Sequence, residues 1–349
     1  MNFLIFGGVG IGDTVIELSL AKALKKIYPD SKINLILSDA LGSSKIISEI
    51  IECQKYVQTC WFYSRKKPLQ SLKVLLELRK EKYNYGFSCT TSFKAGKLPG
   101  IICKAIGCKS VIKQISGKTG FIDYPIQVDE NMHIVQQYER LLERFNSKIE
   151  LDLNVFCKEK FADILKIEKN EQKLVTICLG TNITIYNKGG AQIKKNIKEW
   201  GILNWVSLSQ KLCLSNLKVA FIGGIKESQQ LEEISKKISI LGVINYAGKT
   251  SIKESLAILN QSDIVVGADT GMMHCAAALG KRTITLFGGT DPNIWKPYSA
   301  YSEVIWGKTE CAPCYGKAYA IECDNRKCME TITVNRVYEK IIDSLGENL

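Results

Sequence analysis

The strongest constraint on the fold is a strand–helix–strand unit between Ser262 and Pro297. An apolar run at 264–266 predicts a buried strand, and a second strand is predicted at 283–287. Between them the small residues of CAAALG predict a helix that packs closely on a sheet and ends at Gly280. Two strands joined through a helix pair in parallel, because the helix returns the chain to the starting end of the sheet. A parallel sheet is therefore expected here.

The two loops of this unit have the composition of a phosphate site. Asp269 stands at the end of the first strand and is predicted to cap the helix, which opens with Thr270 and Gly271. The second strand runs into the bare-backbone loop GGTDP. Both loops follow the carboxyl ends of parallel strands, where ligands bind, and a helix N-terminus with accessible amides favours a phosphate. The same glycines also suit a crossover that binds nothing.

The same alternation of strands and helices fills the rest of the chain, which predicts an α/β protein with two doubly wound halves. The expected domains are residues 1–155, residues 170–310 and a C-terminal piece at 311–349. Strands are predicted at 2–6, 32–37, 59–63, 85–89, 151–156, 174–179, 218–222 and 243–245. Helices are predicted at 14–28, 43–52, 69–80, 98–106, 131–146, around 205–212, 227–238 and 251–260, and at 334–345.

Composition excludes several classes of protein. The 349 residues are 46% hydrophobic and 23% charged, enough for two domains with substantial cores. No apolar run approaches the ~20 residues of a membrane span, and the N-terminus lacks the basic start of a secretory signal. The thirteen cysteines are odd in number, and nine are scattered, which suits a reducing compartment. A cytoplasmic location is expected.

The net charge of +12 is concentrated in one window, residues 61–120, which holds thirteen Lys and Arg against Glu77 and Glu81. Such a window attracts a polyanion, whether nucleic acid, an anionic membrane surface or a phosphorylated substrate. A solvated face that binds nothing is the alternative.

The glycine-rich turn GGVGIGDT invites a dinucleotide-binding interpretation. Gly8-x-Gly10 is followed by Asp13 where the third glycine of that motif should stand, so the pattern fails at its last position. Asp39 ends the second strand, where a ribose-binding acid would lie, and this keeps the alternative open. Asp13 itself is a candidate general base, or a residue that only caps its helix.

Four of the cysteines fall within eighteen residues, in the pattern C-x2-C-x8-C-x4-C. Two close pairs of this kind can form a tetrahedral thiolate site for zinc or iron, although the gap between the pairs is shorter than the ~15–20 residues of a zinc ribbon. Either a structural metal or four thiols without metal is compatible with the pattern. The four residues are Cys311, Cys314, Cys323 and Cys328.

Three segments resemble glycosyltransferase family 9, the heptosyltransferases. DTGMMHCAAALGKRTITLFGGTDP fills every fixed position of the signature D-[ST]-G-x-x-H-x-A-A-A-x-G-x5-L-F-G-x-T-x-P. The start of the chain matches the opening G-x-G-D-x10-L-K, and KEWGILNWVSL is similar to K-x-W-P-x3-W-x2-L, with Gly201 in place of proline. The resemblance implies the GT-B fold, in which two Rossmann-like domains face an interdomain cleft and the C-terminal one holds the nucleotide.

The resemblance also implies roles for individual residues. It makes Asp13 the general base and assigns the leaving diphosphate to Lys198 and the helix start at Asp269, without a metal. About ten extra residues precede Lys198, so Lys194 or Lys195 competes for that role. Some relatives hold an iron on four cysteines. The nucleotide-binding positions that it implies are Thr181, Asn182, Glu227, Lys249, Thr250, Asp269, Thr270, Gly271 and His274.

The function that the resemblance implies is inverting transfer of heptose from ADP-L-glycero-D-manno-heptose to a lipopolysaccharide core. An anionic acceptor fits the basic window, and the enzyme is expected to contact the inner face of the inner membrane peripherally and to bind no nucleic acid. One alternative keeps the chemistry with another nucleotide sugar or an autotransporter protein as acceptor. Another is a catalytically silent protein that binds nucleotides or nucleic acid.

Overall fold

In a computed structural model the chain forms two compact units, Met1–Cys157 and Lys158–Leu349. The C-terminal residues 311–349, which the sequence analysis set apart, belong to the second unit. The structure describes residues 1–8, 10–39, 44–64, 66–89, 98–115, 122–127, 129, 131–145, 150–168, 171–180, 185–186, 192–193, 198–232, 242–314, 323 and 326–346.

The first unit is built on a six-stranded parallel sheet in the order β3-β2-β1-β4-β5-β6. Its strands are β1 (Asn2–Gly7), β2 (Lys32–Ser38), β3 (Thr59–Tyr63), β4 (Tyr85–Ser88), β5 (Ser110–Ile115) and β6 (Tyr124–Gln127). Its helices are α1 (Ile11–Ile27), α2 (Ser44–Glu52), α3 (Pro68–Arg79), α4 (Leu98–Ile106) and α5 (Ile134–Glu139). The strand order reverses between β1 and β4, so the expected doubly wound topology is confirmed.

The second unit repeats this plan with the strand order β11-β10-β7-β12-β13-β14, again parallel throughout. Its strands are β7 (Leu174–Cys178), β10 (Lys218–Ile222), β11 (Ile244–Asn245), β12 (Ile264–Ala268), β13 (Arg282–Phe287) and β14 (Ser302–Trp306), beside an antiparallel pair β8 (Ile185–Tyr186) and β9 (Gln192–Ile193). Its helices are α6 (Ile202–Leu214), α7 (Ile225–Glu232), α8 (Ile252–Gln261), α9 (Gly271–Ala278), α10 (Pro292–Trp295), α11 (Lys327–Glu330) and α12 (Val334–Leu345).

Close packing of α9 on the sheet explains the small residues in this part of the sequence. A Cβ on Gly267 would lie 2.8 Å from Met273 Sδ and 2.9 Å from Cys178 Cβ, so β12, α9 and β7 approach each other through a glycine. The final helix, α12, packs against α6 and β13 within the second unit.

Two predicted elements are wrong. Residues 151–156 form no strand, although buried and exposed side chains alternate there. Their backbone is bonded to side chains instead of a ladder: Leu151 N–H donates to Glu139 Oε1 and Asn154 O accepts from Lys22 Nζ. The long helix predicted at 131–146 is α5 followed by a 3-10 turn at Arg140–Phe145.

His133 caps α5, and its Nδ1 accepts from Val135 N–H at 3.2 Å. The sequence analysis did not predict five strands of the structure, β5, β6, β8, β9 and β14. None of the described helices is long and apolar enough to cross a membrane.

Candidate functional site

In the second unit the predicted phosphate residues lie where the strand order of the sheet reverses, between β7 and β12. Asp269 follows β12 directly, and Leu179-Gly180 follow β7. In open parallel sheets ligands bind outside the carboxyl ends of the strands at such a switch point. The topology therefore puts the predicted phosphate loop at the edge that binds ligands.

The Asp269 carboxylate is held by two side chains from other segments. Lys198 Nζ lies 2.5 Å from Asp269 Oδ2, and Thr290 Oγ1 donates to the same oxygen at 2.7 Å. The prediction that Asp269 caps the helix is wrong, because the N-cap of α9 is Thr270. Asp269 is still bonded to the sheet edge, with its N–H donating to Leu286 O, and its side chain turns to Lys198 and Thr290.

Thr270 leaves polar groups available at the start of α9. Its side chain makes no capping bond, and Oγ1 is buried without a hydrogen bond to any described residue. The next residue, Gly271, begins the helix, so the first amides are not covered by a capping side chain. A buried unsatisfied hydroxyl is costly, which suggests that a ligand completes it. An anion suits this position, since the helix dipole favours negative charge there.

The segment before α6 fixes Lys198 near Asp269. Trp200 is buried, packs edge-on against Trp205 with ring centroids 4.5 Å apart, and donates from Nε1 to Ile332 O at 2.7 Å. The neighbouring Glu199 pairs with an arginine of the C-terminal segment at 3.1 Å. Gly201 has a φ of +94°, which the proline of the family motif cannot adopt. The residues that follow Lys198 are therefore anchored.

His274 lies on the first turns of α9 and is buried. Burial lowers the pKa of its imidazole below 6.5; the charge of Asp269 raises this pKa, and that of Lys198 lowers it. His274 is therefore neutral at pH 7. Both charges of the Lys198–Asp269 pair therefore act on this imidazole.

Glu227 lies at the turn after β10. Its Oε2 accepts from Gly224 N–H at 2.9 Å, and the side chain is buried. A Cβ on Gly180 would come within 3.4 Å of Oε2, so the carboxylate also borders the turn after β7. Glu227 therefore contacts the residues that follow two neighbouring strands, β10 and β7.

Lys249 and Thr250 lie after β11, at the same edge. Lys249 Nζ donates to Asn245 O at 3.0 Å, and Thr250 Oγ1 lies 2.9 Å from Ser255 Oγ. The preceding Gly248 has a φ of +70°, and a Cβ there would lie 2.8 Å from Ser228 Cβ. The remaining predicted residues, Thr181, Asn182, Lys194 and Lys195, lie outside the described residues.

In the first unit Asp13 lies on the first turn of α1, after the switch-point strand β1. Its Oδ2 accepts from Gly10 N–H at a long 3.3 Å, and a Cβ on Gly8 would lie 2.9 Å from the same oxygen. The glycines therefore let the loop wrap closely around the carboxylate. The capping role is present, and it is compatible with proton transfer because a carboxylate accepts several hydrogen bonds.

Glu17, one turn after Asp13, is a functional candidate that the sequence analysis missed. It is fully buried; Oε1 accepts from Gly8 N–H at 2.5 Å, and Oε2 is buried without a hydrogen bond to any described residue. Desolvation, and then the charge of Asp13, raises its pKa to about 8. The available signal was an acid in the apolar stretch VIELSL, four residues after the candidate base.

All thirteen cysteines lie in the described part of the chain, where none forms a disulfide. Burial raises the pKa of Cys328 to about 11, and Cys314, Cys311 and Cys323 add to the shift, so the four thiols are neighbours. Among the described residues, no group of three or more His, Cys, Asp or Glu side chains is arranged to hold a metal ion, and this includes the four cysteines. The structural zinc or iron on these cysteines stays a prediction.

The fold and the sequence point to the same relatives. The chain superposes on ADP-heptose LPS heptosyltransferase II from E. coli with a TM-score of 0.75 and 18% sequence identity. The superposition covers 99% of this chain and 98% of that protein. The chain also superposes on the E. coli heptosyltransferase WaaC solved with ADP, with a TM-score of 0.71 and 16% identity over 99% of this chain and all of that one. The fold is therefore GT-B.

Among curated proteins, the lipooligosaccharide heptosyltransferase 2 of Haemophilus influenzae is 24% identical over 314 residues, which cover 87% of this chain and 88% of that protein. The E. coli lipopolysaccharide heptosyltransferase 2 is 21% identical over 320 residues, with the same coverage. The model of glycosyltransferase family 9 (heptosyltransferase) matches residues 71–324. With its signature residues at the switch point of a GT-B fold, the chain belongs to glycosyltransferase family 9.

Proposed function

We propose that this enzyme transfers heptose from ADP-L-glycero-D-manno-heptose to an anionic lipopolysaccharide-core acceptor, with inversion and without a catalytic metal. The observation that carries the proposal is the set of groups around the β12–α9 turn: the Lys198 ammonium, the unsatisfied Thr270 hydroxyl and the first amides of α9. Together they suit a diphosphate. The relatives are heptosyltransferases, and one was solved with ADP.

The leaving group explains why these residues are needed. When the bond between the anomeric carbon and the phosphate oxygen breaks, the electron pair leaves with ADP, and negative charge grows on the diphosphate. Donors that are fixed in advance stabilise this charge without reorganisation. Lys198 has three N–H donors, so it can bind a phosphate oxygen while it stays paired with Asp269. Because Lys198 can bind Asp269 and a phosphate oxygen at the same time, the protein itself supplies the positive charge that a divalent metal supplies in other enzymes.

The second requirement is a base for the acceptor. As the acceptor oxygen attacks the anomeric carbon, its proton passes to a carboxylate, which we assign to Asp13. Glu17 has a pKa of about 8 and is mostly protonated at neutral pH, so the charged partner of this pair is Asp13. The neutral neighbour lets Asp13 be the proton acceptor without a second negative charge beside it.

The acceptor is proposed from charge and from the relatives' names. The basic window at 61–120 belongs to the first unit, the unit that carries Asp13. A lipid-linked, phosphorylated acceptor would put the enzyme at the cytoplasmic face of the inner membrane in peripheral contact with it, and we propose this location.

Nucleotide binding tests the donor. Thermal unfolding of the purified protein is measured with ADP, UDP, GDP and CDP in turn. A ligand that binds the native state raises the melting temperature. At a concentration of a hundred times its Kd, it increases the free energy of unfolding by about 2.7 kcal/mol. We expect ADP alone to stabilise the second unit. Selective stabilisation by UDP or GDP would contradict ADP-heptose as donor.

Asp13→Asn tests the base. The amide has the shape of the carboxylate but cannot take the proton, so we expect kcat to fall by about 10²–10⁴ while ADP still raises the melting temperature. Asp30→Asn, an exposed aspartate in the turn between α1 and β2, is the matched control and should leave kcat unchanged. Transfer by Asp13→Asn at the wild-type rate would remove Asp13 from the mechanism.

A further inference from the structure

Helix α3 presents an unusual row of leucines to solvent. Leu69, Leu72 and Leu76 are 78%, 54% and 54% exposed. Their spacing of three and four residues puts them on one face of the helix. Isolated exposed leucines are common on soluble proteins, but three in one row on a single helix form a contiguous apolar strip.

The opposite face of α3 already supplies the attachment to the core. Leu78 is fully buried, and Val74 and Leu75 pack against the cluster that surrounds β1 and α4. Ser71 is also buried, and its hydroxyl bonds to the backbone N–H and C=O of Ser64. The residues that anchor the helix therefore lie on the face away from the exposed leucines. Their exposure is a cost that the fold does not require.

Basic side chains flank the leucine strip. Lys73 and Lys80 project beside it, one position further around the helix, and Arg79 lies on its other side. All three are exposed, and Lys66 and Lys67 are exposed just before the helix. Glu77 pairs with Lys80 at 2.7 Å, and such an exposed pair is weak. The combination of an apolar strip with cations along its edges is typical of a helix that lies in a membrane interface.

We propose that α3 docks the enzyme on an anionic lipid bilayer, with Leu69, Leu72 and Leu76 in the acyl boundary and the flanking Lys and Arg at the headgroups. The proposal assigns a docking surface to the membrane contact proposed above. It rests on the proposed function only for the identity of the membrane. A second copy of the chain fits less well, because isologous pairing would bring two sets of cations together. Three leucines also cover far less than the about 800 Å² that each partner buries in a standard interface.

Vesicle binding tests this without donor or acceptor. Co-sedimentation is measured with vesicles of phosphatidylethanolamine and phosphatidylglycerol, and with vesicles of phosphatidylcholine alone. We expect the wild-type protein to bind the anionic vesicles in a salt-dependent manner. The variant Leu69→Ser/Leu72→Ser/Leu76→Ser should lose at least about tenfold in partition, because each leucine that enters the acyl boundary contributes apolar transfer energy.

Two further variants separate the contributions. Lys73→Glu/Lys80→Glu should lose about tenfold or more on anionic vesicles while keeping any binding to phosphatidylcholine. The matched control Leu203→Ser/Leu214→Ser removes two leucines of α6 that are 65% and 80% exposed, and should bind as the wild type does. The leucines of α3 are exposed, so melting temperatures with ADP should stay unchanged.

Equal vesicle binding by the wild type and the triple serine variant would overturn the proposal. So would a wild-type dimer, seen by sedimentation without vesicles, that the triple variant abolishes, since a second copy would then be the occupant. Failure of the proposed function would appear instead as absent ADP stabilisation or absent transfer, and vesicle binding would persist.

Discussion

The Lys198 ammonium lies 2.5 Å from Asp269 Oδ2, and only 15% and 7% of the two side chains are exposed. The pair joins the segment before α6 to the end of β12. Burial of two charges is costly unless further hydrogen bonds satisfy them, and Thr290 supplies one to the same carboxylate oxygen. The pair holds the lysine beside the residue that precedes Thr270, the N-cap of α9.

Replacement of Lys198 should weaken nucleotide binding. A hydrogen bond from a charged group contributes about 1.5–3 kcal/mol, so Lys198→Met should raise the Kd for ADP by roughly 10–100-fold in calorimetric titration. The single variant leaves the Asp269 carboxylate buried and uncompensated, which itself destabilises the fold. The double variant Lys198→Met/Asp269→Asn therefore serves as control and should bind ADP as weakly with a higher melting temperature. An unchanged Kd in both would assign the phosphates to another lysine.

The same substitution should change the titration of His274. The pKa of this imidazole is lowered first by burial and also by Lys198, whereas Asp269 raises it. Lys198→Met removes one lowering cause and leaves Asp269 unopposed, so the pKa should rise. The sequence contains two histidines, and His133, in the other unit, provides an internal reference in the imidazole NMR spectrum. A His274 resonance that titrates alike in both proteins would show that the charge of Lys198 does not reach it.

Glu227 should discriminate between ribose and deoxyribose. Its carboxylate accepts from Gly224 N–H through Oε2 and borders Gly180 at the switch point. If it also accepts from a ribose hydroxyl, Glu227→Gln should raise the Kd for ADP several-fold, because hydrogen bonds to a charged acceptor are the stronger ones. The Kd for 2′,3′-dideoxy-ADP should hardly change. Equal losses for both ligands would indicate a role in the fold of the β10–α7 turn alone.

The sequence predicts strands and helices well in this chain because the sheets are parallel and buried. Strands such as β2 and β10 are buried apolar runs between turn residues, and their predicted bounds match the structure to within one residue. The edge strands β6 and β14 were missed because each has partly exposed residues that weaken the apolar run. The alternation at 151–156 was misread, since alternate burial also occurs where an extended segment is held by side chains.

In the candidate site, too, the sequence predicted some features and missed others. The family motifs put Asp269, His274 and Lys198 in one site, and the structure brings Lys198 and Asp269 into contact. Their hydrogen-bond partners were not predictable, because the contact of Asp269 with Thr290 depends on how two loops meet at the sheet edge. Glu17 was missed for a related reason. A buried acid is distinguished from an exposed one by tertiary packing, and the helix pattern alone does not reveal it.

Glu17 makes the stability of the first unit depend on pH between about 4.5 and 8. A carboxyl group with an ordinary pKa of 4.5 binds a proton more tightly in the folded chain, where the pKa is about 8. The stability from this group is fully present below pH 4.5 and is lost progressively as the pH rises towards about 8. The loss is on the order of a few kcal/mol. Glu17→Gln keeps the neutral shape, so its free energy of unfolding should fall less steeply over this range.

The measurement is the urea-unfolding free energy at pH 5, 6, 7 and 8, with hydrogen exchange of β1 and α1 peptides to report the first unit. The control is Glu254→Gln. Hydrogen bonds from Ser251 lower the pKa of Glu254 below 4.5, so stability from its carboxylate is present above that pH and is lost only in stronger acid. The pH slope between 5 and 8 should therefore match the wild type. If Glu17→Gln keeps the wild-type slope as well, the Glu17 carboxyl is already ionised at neutral pH, and Asp13 has a second negative charge beside it.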